Sequence, residues 1–211
     1  MSWDDAIDGV DRETPGGRPP RAWTVAARRQ GAANDEVVHE RGGDAPAYAE
    51  LHCLSDFSFL RGASSAEELF SQAAVLGMRA LAITDRNSLA GIVRAHEAAR
   101  ATGVRLIVGC RLVLADDTHL LVYPTDRAAY ARLCRLLSVG KARGGKAACI
   151  LHWEDVAAWN EGLIAMLAAD QADADTARRL RRVAEIFADR AYCALTLHRR
   201  PRDHHRLQQL V

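Results

Sequence analysis

Excess charge of either sign is missing from this sequence. Twenty-eight Lys and Arg stand against 27 Asp and Glu, a formal net charge of +1, so charge alone gives no pull toward nucleic acid or a membrane surface. No run of about 18 apolar residues occurs, and no transmembrane helix is expected. The first residues show no basic start, apolar centre and small-residue cleavage site, so no secretory processing is expected and the location is read as cytoplasmic. Cysteine is sparse, at positions 53, 110, 134, 149 and 193. The odd count and the lack of any CxxC pair point to buried thiols in a reducing compartment and not to a disulfide framework.

What is there is an ordinary globular composition. Apolar residues make up 49% and charged residues 26% of 211 positions, enough for one sizeable domain, or a domain and a tail. Residues 1–46 differ from the rest. "DGVDRETPGGRPPRAW" and "ERGGDAP" mix Gly, Pro and charge without a sustained period. This composition cannot bury enough surface to offset chain entropy, and residues 1–46 read as a disordered leader or an upstream start-site extension. Trp3, Trp23 and "WTVAARR" offer docking groups; an unstructured tail is the plainer reading.

From Tyr48 the pattern tightens. "YAELH" alternates as a short strand. Ser64 and Ser65 precede Glu67 and Glu68 as overlapping capping boxes. Leu69, Phe70, Ala73, Ala74 and Leu76 follow at helical spacing, and Gly77 can take the left-handed conformation that ends a helix. "RALAIT" (79–84) reads as a buried strand. Ser88 reads as the cap of a helix that runs to about Thr102 and stops at Gly103, with "RLIVG" (105–109) as the next strand. "RLVLADDTHLLVYP" predicts a hairpin turning at Asp116-Asp117. Asp126 caps a further helix, "KARGGK" reads as a basic glycine-rich loop, and a short element lies around "ILHWEDVAAW". "GLIAML" (162–167) is a strand, and "ADTARRLRRVAEIFADR" an amphipathic helix striped by Ala177, Leu180, Val183, Ala184 and Phe187. "AYCALTLH" is a last strand before a helix from near Pro201 or Asp203. Alternation of strand and helix predicts an α/β fold with a mainly parallel sheet and outer helices. In such folds chemistry collects on loops at the strands' C-terminal ends, where His52, Asp85 with Arg86, and the Gly109–Arg111 turn fall.

Three stretches in order, "YAELHCLSDFSFLRGASSAEEL", "LAITDRNSLAGIVRAHEAAR" and "LIVGCRLVL", resemble the polymerase-and-histidinol-phosphatase (PHP) domain that opens bacterial C-family DNA polymerases. "FSFLRGAS", "SLAGIVRAH" and "LCRLL" resemble its error-prone alpha-subunit branch, similar to the DNA polymerase III alpha subunit. The resemblance runs from about Tyr48 to the end. It implies a PHP-type distorted (β/α)7 barrel over residues 47–211, expected to be incomplete at its C-terminus, with the polymerase core absent. A piece of this kind is expected from a truncated product, a contig-edge fragment or an expression fragment.

In metal-bearing relatives the first loop reads roughly His-x-His with a later acidic residue before Gly, the second strand ends in Thr-Asp-His-Gly, and the third in Gly-x-Glu. Two or three ions there activate water for phosphoester hydrolysis. Here His52 and Asp85 stand at residual ligand-type positions, while Leu54, Arg61, Arg86 and Arg111 occupy the others. Leu coordinates nothing, and a guanidinium offers only donors. At about 5 Å and an effective dielectric of 20, each such charge opposes a dication by roughly 6 to 7 kcal/mol. No metal, no other cofactor and no catalytic residue are therefore expected in this chain, although the parent polymerase would use Mg and active PHP relatives use Zn or Mn. His52 reads as a leftover ligand or as a strand-end histidine bonded to backbone. Asp85 reads as a turn cap or as the partner of Arg86 or Arg111, in an ion-pair network that replaces the metals.

Other groups have plainer readings. His96 and Glu97 lie on a solvated face, His152 at a helix start, and "HRRPRDHHR" (198–206) on an exposed loop and helix start or against phosphates or the polymerase body. Three cations and two glycines in "KARGGK" suit phosphate approach without forming a Walker loop. Ser55, Asp56 and Ser58 resemble a nucleophile with partners only superficially. Two functions follow. The first is a catalytically silent structural domain of an error-prone polymerase engaged in damage-induced translesion synthesis, partnered by the rest of the polymerase body and, through it, by DNA and mutagenesis accessory proteins. The second is a free-standing metal-dependent PHP phosphoesterase.

Overall fold

In the computed structural model of the chain, the described residues are 48–169, 171–196, 201 and 203–210. The chain divides into Met1–Pro46 and Ala47–Val211. The account below concerns the second unit, and the leader expected over residues 1–46 lies outside the described residues.

Seven strands and six α-helices are found among the described residues. The strands are β1 (Ala49–Cys53), β2 (Ala80–Ile83), β3 (Arg105–Val108), β4 (Cys110–Val113), β5 (His119–Pro124), β6 (Leu163–Ala168) and β7 (Ala191–Ala194). The helices are α1 (Ala66–Val75), α2 (Ile92–Thr102), α3 (Arg127–Gly144), α4 (Trp153–Trp159), α5 (Ala174–Phe187) and α6 (Asp203–Leu210). Strands β1, β2 and β3 pair in parallel in that order. Strands β4 to β7 form a second sheet in chain order, antiparallel through β6 and parallel from β6 to β7. The expected mainly parallel sheet thus holds for the first sheet, whereas the second is mostly antiparallel. Periodicity reports which residues are buried and not which strand lies next to which.

Local chemistry sets the helix ends. At α1, Ser65 Oγ accepts from the Glu68 N–H and the Glu68 carboxylate accepts from the Ser65 N–H, the expected capping box. Gly77 just past the helix has φ +63°, and Gly103 closes α2 at φ +74°. Asp126 and Asp173 cap α3 and α5 by accepting from N–H groups three residues on. The start expected at Ser88 is displaced. Ser88 Oγ takes the Ala90 N–H in a separate turn, and α2 begins at Ile92. The first four residues of "KARGGK" are the last turn of α3 and not loop.

Alternation along the strands sorts side chains to two faces. Leu81 and Ile83 pack under α1 and α2 with Phe70, Ala73, Ala95 and Ala99. Leu120, Val122, Leu163, Ala165 and Leu167 pack with α3 to α5, including Leu133, Leu136, Val183 and Phe187. The opposite faces meet each other: Ala82, Leu121 and Tyr123 form a third cluster with Leu51, Ile107, Ile164 and Met166. Five strands of both sheets therefore contribute to one shared interior. Tyr123 Oη ties the sheets further by donating to the Leu51 carbonyl at 2.6 Å. Within the α5 stripe, Val183 and Phe187 are buried and Leu180 packs against the core, while Ala184 is exposed.

Candidate functional site

Parallel pairing brings the C-terminal ends of β1, β2 and β3 level, with Cys53 opposite Ile83 and Ile83 opposite Val108. Hydrogen bonding continues past the strands. Thr84 N–H donates to Cys53 O, Gly109 N–H to Ile83 O, Arg111 N–H to Asp85 O, and Asn87 N–H to Arg111 O. An isolated parallel bridge between Arg86 and Arg111 thereby joins the two sheets. Gly109 is needed at the bend: a Cβ there would lie 2.8 Å from Thr84 Cγ2 and 2.9 Å from the Tyr123 ring.

Asp85 is the centre of this end. Its carboxylate is buried and accepts from three donors: the Ser55 N–H at 2.8 Å, Ser58 Oγ at 2.6 Å and Ser55 Oγ at 2.7 Å. Ser58 Oγ in turn accepts from the Arg86 N–H at 3.0 Å. The pairing of Asp85 with Arg86 or Arg111 expected from the sequence is not found. Two buried serines of the first loop reached the carboxylate instead, and both oxygens are occupied without a cation. Ser55 and Ser58 accordingly serve as pins for the 55–64 loop. Ser58 O accepts from the Arg61 and Gly62 N–H groups, and Asp56 N–H donates to Ser64 O across the loop mouth. Gly62 is fixed by contact, since a Cβ would stand 2.0 Å from Ser55 O.

The second group lies along Arg111. Its guanidinium places Nη1 3.5 Å from His52 Nε2 and Nη2 2.7 Å from His119 Nδ1. His119 Nε2 lies 3.2 Å from Asp117 Oδ1. Because guanidinium only donates, both facing ring nitrogens are acceptors, and the His119 proton rests on Nε2 toward Asp117. Burial, and next the positive charge of Arg111, push the His119 pKa below its usual 6.5, against the opposing pull of Asp117. The ring of His52 therefore meets an arginine side chain. The main-chain N–H of His52 donates to Glu50 Oε1 at 2.8 Å. His119 escaped the sequence reading, and Ser55 and Ser58 entered it only as a superficial nucleophile set and not as partners of Asp85. His119 stands on a hairpin strand far from the loop motif, and the hydroxyls carry no spacing that points at Asp85.

The remaining positions diverge. Leu54 is half-buried beside Ser55. Arg61 and Arg86 line a cavity with Phe57, Phe59 and Lys141, a lining that includes none of His52, Arg111 and His119, although the Arg86 charge still reaches His119. Cys110 donates Sγ–H to Asp85 O at 3.3 Å, and burial pushes its thiol up to about 12, an inert core group. His96 is half-buried and Glu97 exposed on α2, while His152 precedes α4 with its N–H on Asp155. Part of "HRRPRDHHR" lies outside the described residues; within it Arg206 pairs with Asp203.

As a metal cradle this donor set is a poor fit. His52 points its ring nitrogen at a cation, Asp85 has both oxygens engaged, and among the described residues no three His, Cys, Asp or Glu side chains converge to hold an ion. No helix among the described residues is long and apolar enough to cross a membrane.

Comparison with known proteins agrees with the fold. Residues 50–198 match the profile of the family described as the PHP domain. The chain is 62% identical over 164 residues to "Error-prone DNA polymerase 2" of Rhizobium meliloti (strain 1021), covering 78% of this chain and 15% of that protein. It is 54% identical over 219 residues to "Error-prone DNA polymerase" of Xanthomonas campestris pv. campestris (strain B100), covering 100% of this chain and 20% of that protein. The chain thus spans 15% to 20% of the length of these relatives. Among solved structures, a protein of Bifidobacterium adolescentis ATCC 15703 described as a metal-dependent phosphoesterase superposes with a TM-score of 0.57 at 17% identity, over 79% of this chain and 84% of that one. At that identity the likeness is one of fold.

Proposed function

This chain belongs to the PHP domain family, and from that premise we propose that it is the PHP segment of an error-prone C-family DNA polymerase alpha subunit, itself catalytically silent and structural. The whole enzyme would carry out magnesium-dependent nucleotidyl transfer in damage-induced translesion synthesis in the cytoplasm. This segment's partner would be the rest of the polymerase body, and through it DNA and mutagenesis accessory proteins. The fold would be a distorted (β/α)7 barrel, a reading supported by the shared interior that five strands fill.

One observation carries the silent reading: the ligand-type side chains of Asp85 and His52 are engaged by other groups of the protein. Asp85 holds Ser55 and Ser58, and Arg111 sits against His52 where a ligand would need an open lone pair. An arrangement of this sort braces loops. It supplies neither a Lewis acid nor a water of lowered pKa.

The test is metal content by plasma mass spectrometry on the purified chain, after incubation with zinc or manganese and desalting, beside hydrolysis of a phosphate monoester with and without chelator. The expected result is substoichiometric metal and no chelator-sensitive activity. Roughly two or three ions per chain with chelator-sensitive hydrolysis would establish the phosphoesterase reading instead.

A further inference from the structure

A cavity of about 840 Å³ opens between the 57–61 loop, the Arg86–Ser88 turn, and the end of α3 with the segment following it. Its charged lining residues are Arg61, Arg86 and Lys141, with no carboxylate among them. In a chain whose charges otherwise balance, that is a local excess of one sign. None of the three enters a salt bridge with a described residue, whereas Arg143, two positions past Lys141, is clamped to Asp155. Two aromatic rings share the same wall. Phe59 is 82% exposed and Phe57 38% exposed. The exposure of Phe59 is built into the loop: Ser58 turns inward to Asp85 and Gly62 packs on Ser55 O, so the residues between are driven outward.

Cations spread over three chain segments, an open wall without carboxylates and a bare aromatic ring match a flexible polyanion that carries flat faces. We infer that this cleft binds single-stranded nucleic acid, with Arg61, Arg86 and Lys141 neutralising phosphates and Phe59 stacking on a base. A duplex hides its base faces from Phe59, and a small phosphate would leave the rings unused. The choice of nucleic acid rests on the polymerase reading above; the cleft's lining includes none of His52, Arg111 and His119, and it needs no metal.

Fluorescence anisotropy of a labelled oligo(dT) of about 12 nucleotides with the whole chain tests this. Three phosphate contacts on a single strand give a log–log salt slope of about −2, hence roughly 20-fold weaker binding at 200 than at 50 mM salt. Arg61→Glu and Lys141→Glu each weaken binding roughly tenfold or more and flatten that slope. Phe59→Ala weakens it about tenfold and leaves the slope unchanged. Arg100→Glu and Arg181→Glu, exposed charges on α2 and α5, change neither. Absence of binding at 50 mM salt, or binding indifferent to both cleft charge reversals, overturns the inference. A dT dinucleotide or inorganic triphosphate that binds as tightly as the longer strand also overturns it, by showing a small-phosphate site. Metal content and phosphatase activity decide the polymerase reading separately, so the two fail on different measurements.

Discussion

Asp85 is a buried carboxylate held by two serines of the first loop. A buried carboxylate with three donors on it is satisfied; removing it strands the Ser55 N–H and two hydroxyls in a dry interior. Asp85→Ala is expected to lower unfolding free energy by about 3 kcal/mol or more, read from the urea midpoint. A loss under about 1 kcal/mol, the worth of one ordinary hydrogen bond, would mean that the loop does not depend on it. His119 gives the corresponding statement about pH. Its folded pKa lies below the usual 6.5, so the unfolded chain takes the proton first. The stability is present in full above 6.5 and is lost as pH falls from there through the lowered folded value. Arg111→Met removes the second cause of the shift, after burial, so the folded midpoint moves up toward 6.5 and the acid loss shrinks. Ring-proton NMR titration reads this directly; an unmoved or lower midpoint contradicts the assigned pairing.

At the scale of elements, glycines separate contact from conformation. A Cβ on Gly62 meets the Ser55 carbonyl oxygen at 2.0 Å and the Asp56 nitrogen at 3.3 Å, both backbone atoms that cannot swing away. Gly103, at φ +74°, has nothing within 4 Å of a Cβ and would suffer only conformational strain. Gly62→Ala is therefore expected to cost about 3 kcal/mol or more by opening the 55–64 loop, against about 1 kcal/mol for Gly103→Ala. Denaturant midpoints that reverse this order would refute the close approach. Both glycines were conspicuous in the sequence, but only Gly103 stated its role there. Its place after a helical period is a local signal, as are the Ser65–Glu68 box and the Asp126 cap. The reason for Gly62 is the carbonyl of Ser55, which the loop brings back on itself, and no period records that. His52, Asp85, Arg86 and Arg111 were singled out from their places at strand ends, and Leu54 and Arg61 from the resemblance to the PHP domain. Their partners were not, because Ser55 and Ser58 lie 30 and 27 residues from Asp85 and His119 lies on another sheet. The β4–β5 hairpin was legible from its Asp116-Asp117 turn, whereas the places of β6 and β7 were hidden for the same reason: their adjacency is decided by long-range packing.

Across the whole of Ala47–Val211, two helix-covered cores lie outside the two sheets and one shared cluster lies between them. If each sheet with its helices were self-sufficient, the unit would melt in two steps, and a change in one core would move only one of them. The shared cluster argues against that. Leu121 of the second sheet and Ala82 of the first are both essentially out of solvent, in one cluster with Leu51, Ile107, Ile164 and Met166. Separating the sheets would expose all of these at once and break the Tyr123–Leu51 hydrogen bond. Burial of that face is worth about 25 cal/mol per Å², so neither sheet keeps its stability without the other. Leu121→Ala is accordingly expected to cost about 3 kcal/mol and to shift one calorimetric transition downward as a unit, with the first-sheet amides losing hydrogen-exchange protection along with those of the second. If the first-sheet amides kept their protection while only the second sheet loosened, the interior would be a contact between independent halves and not the common core that holds the strand ends, and with them Asp85 and Arg111, in register.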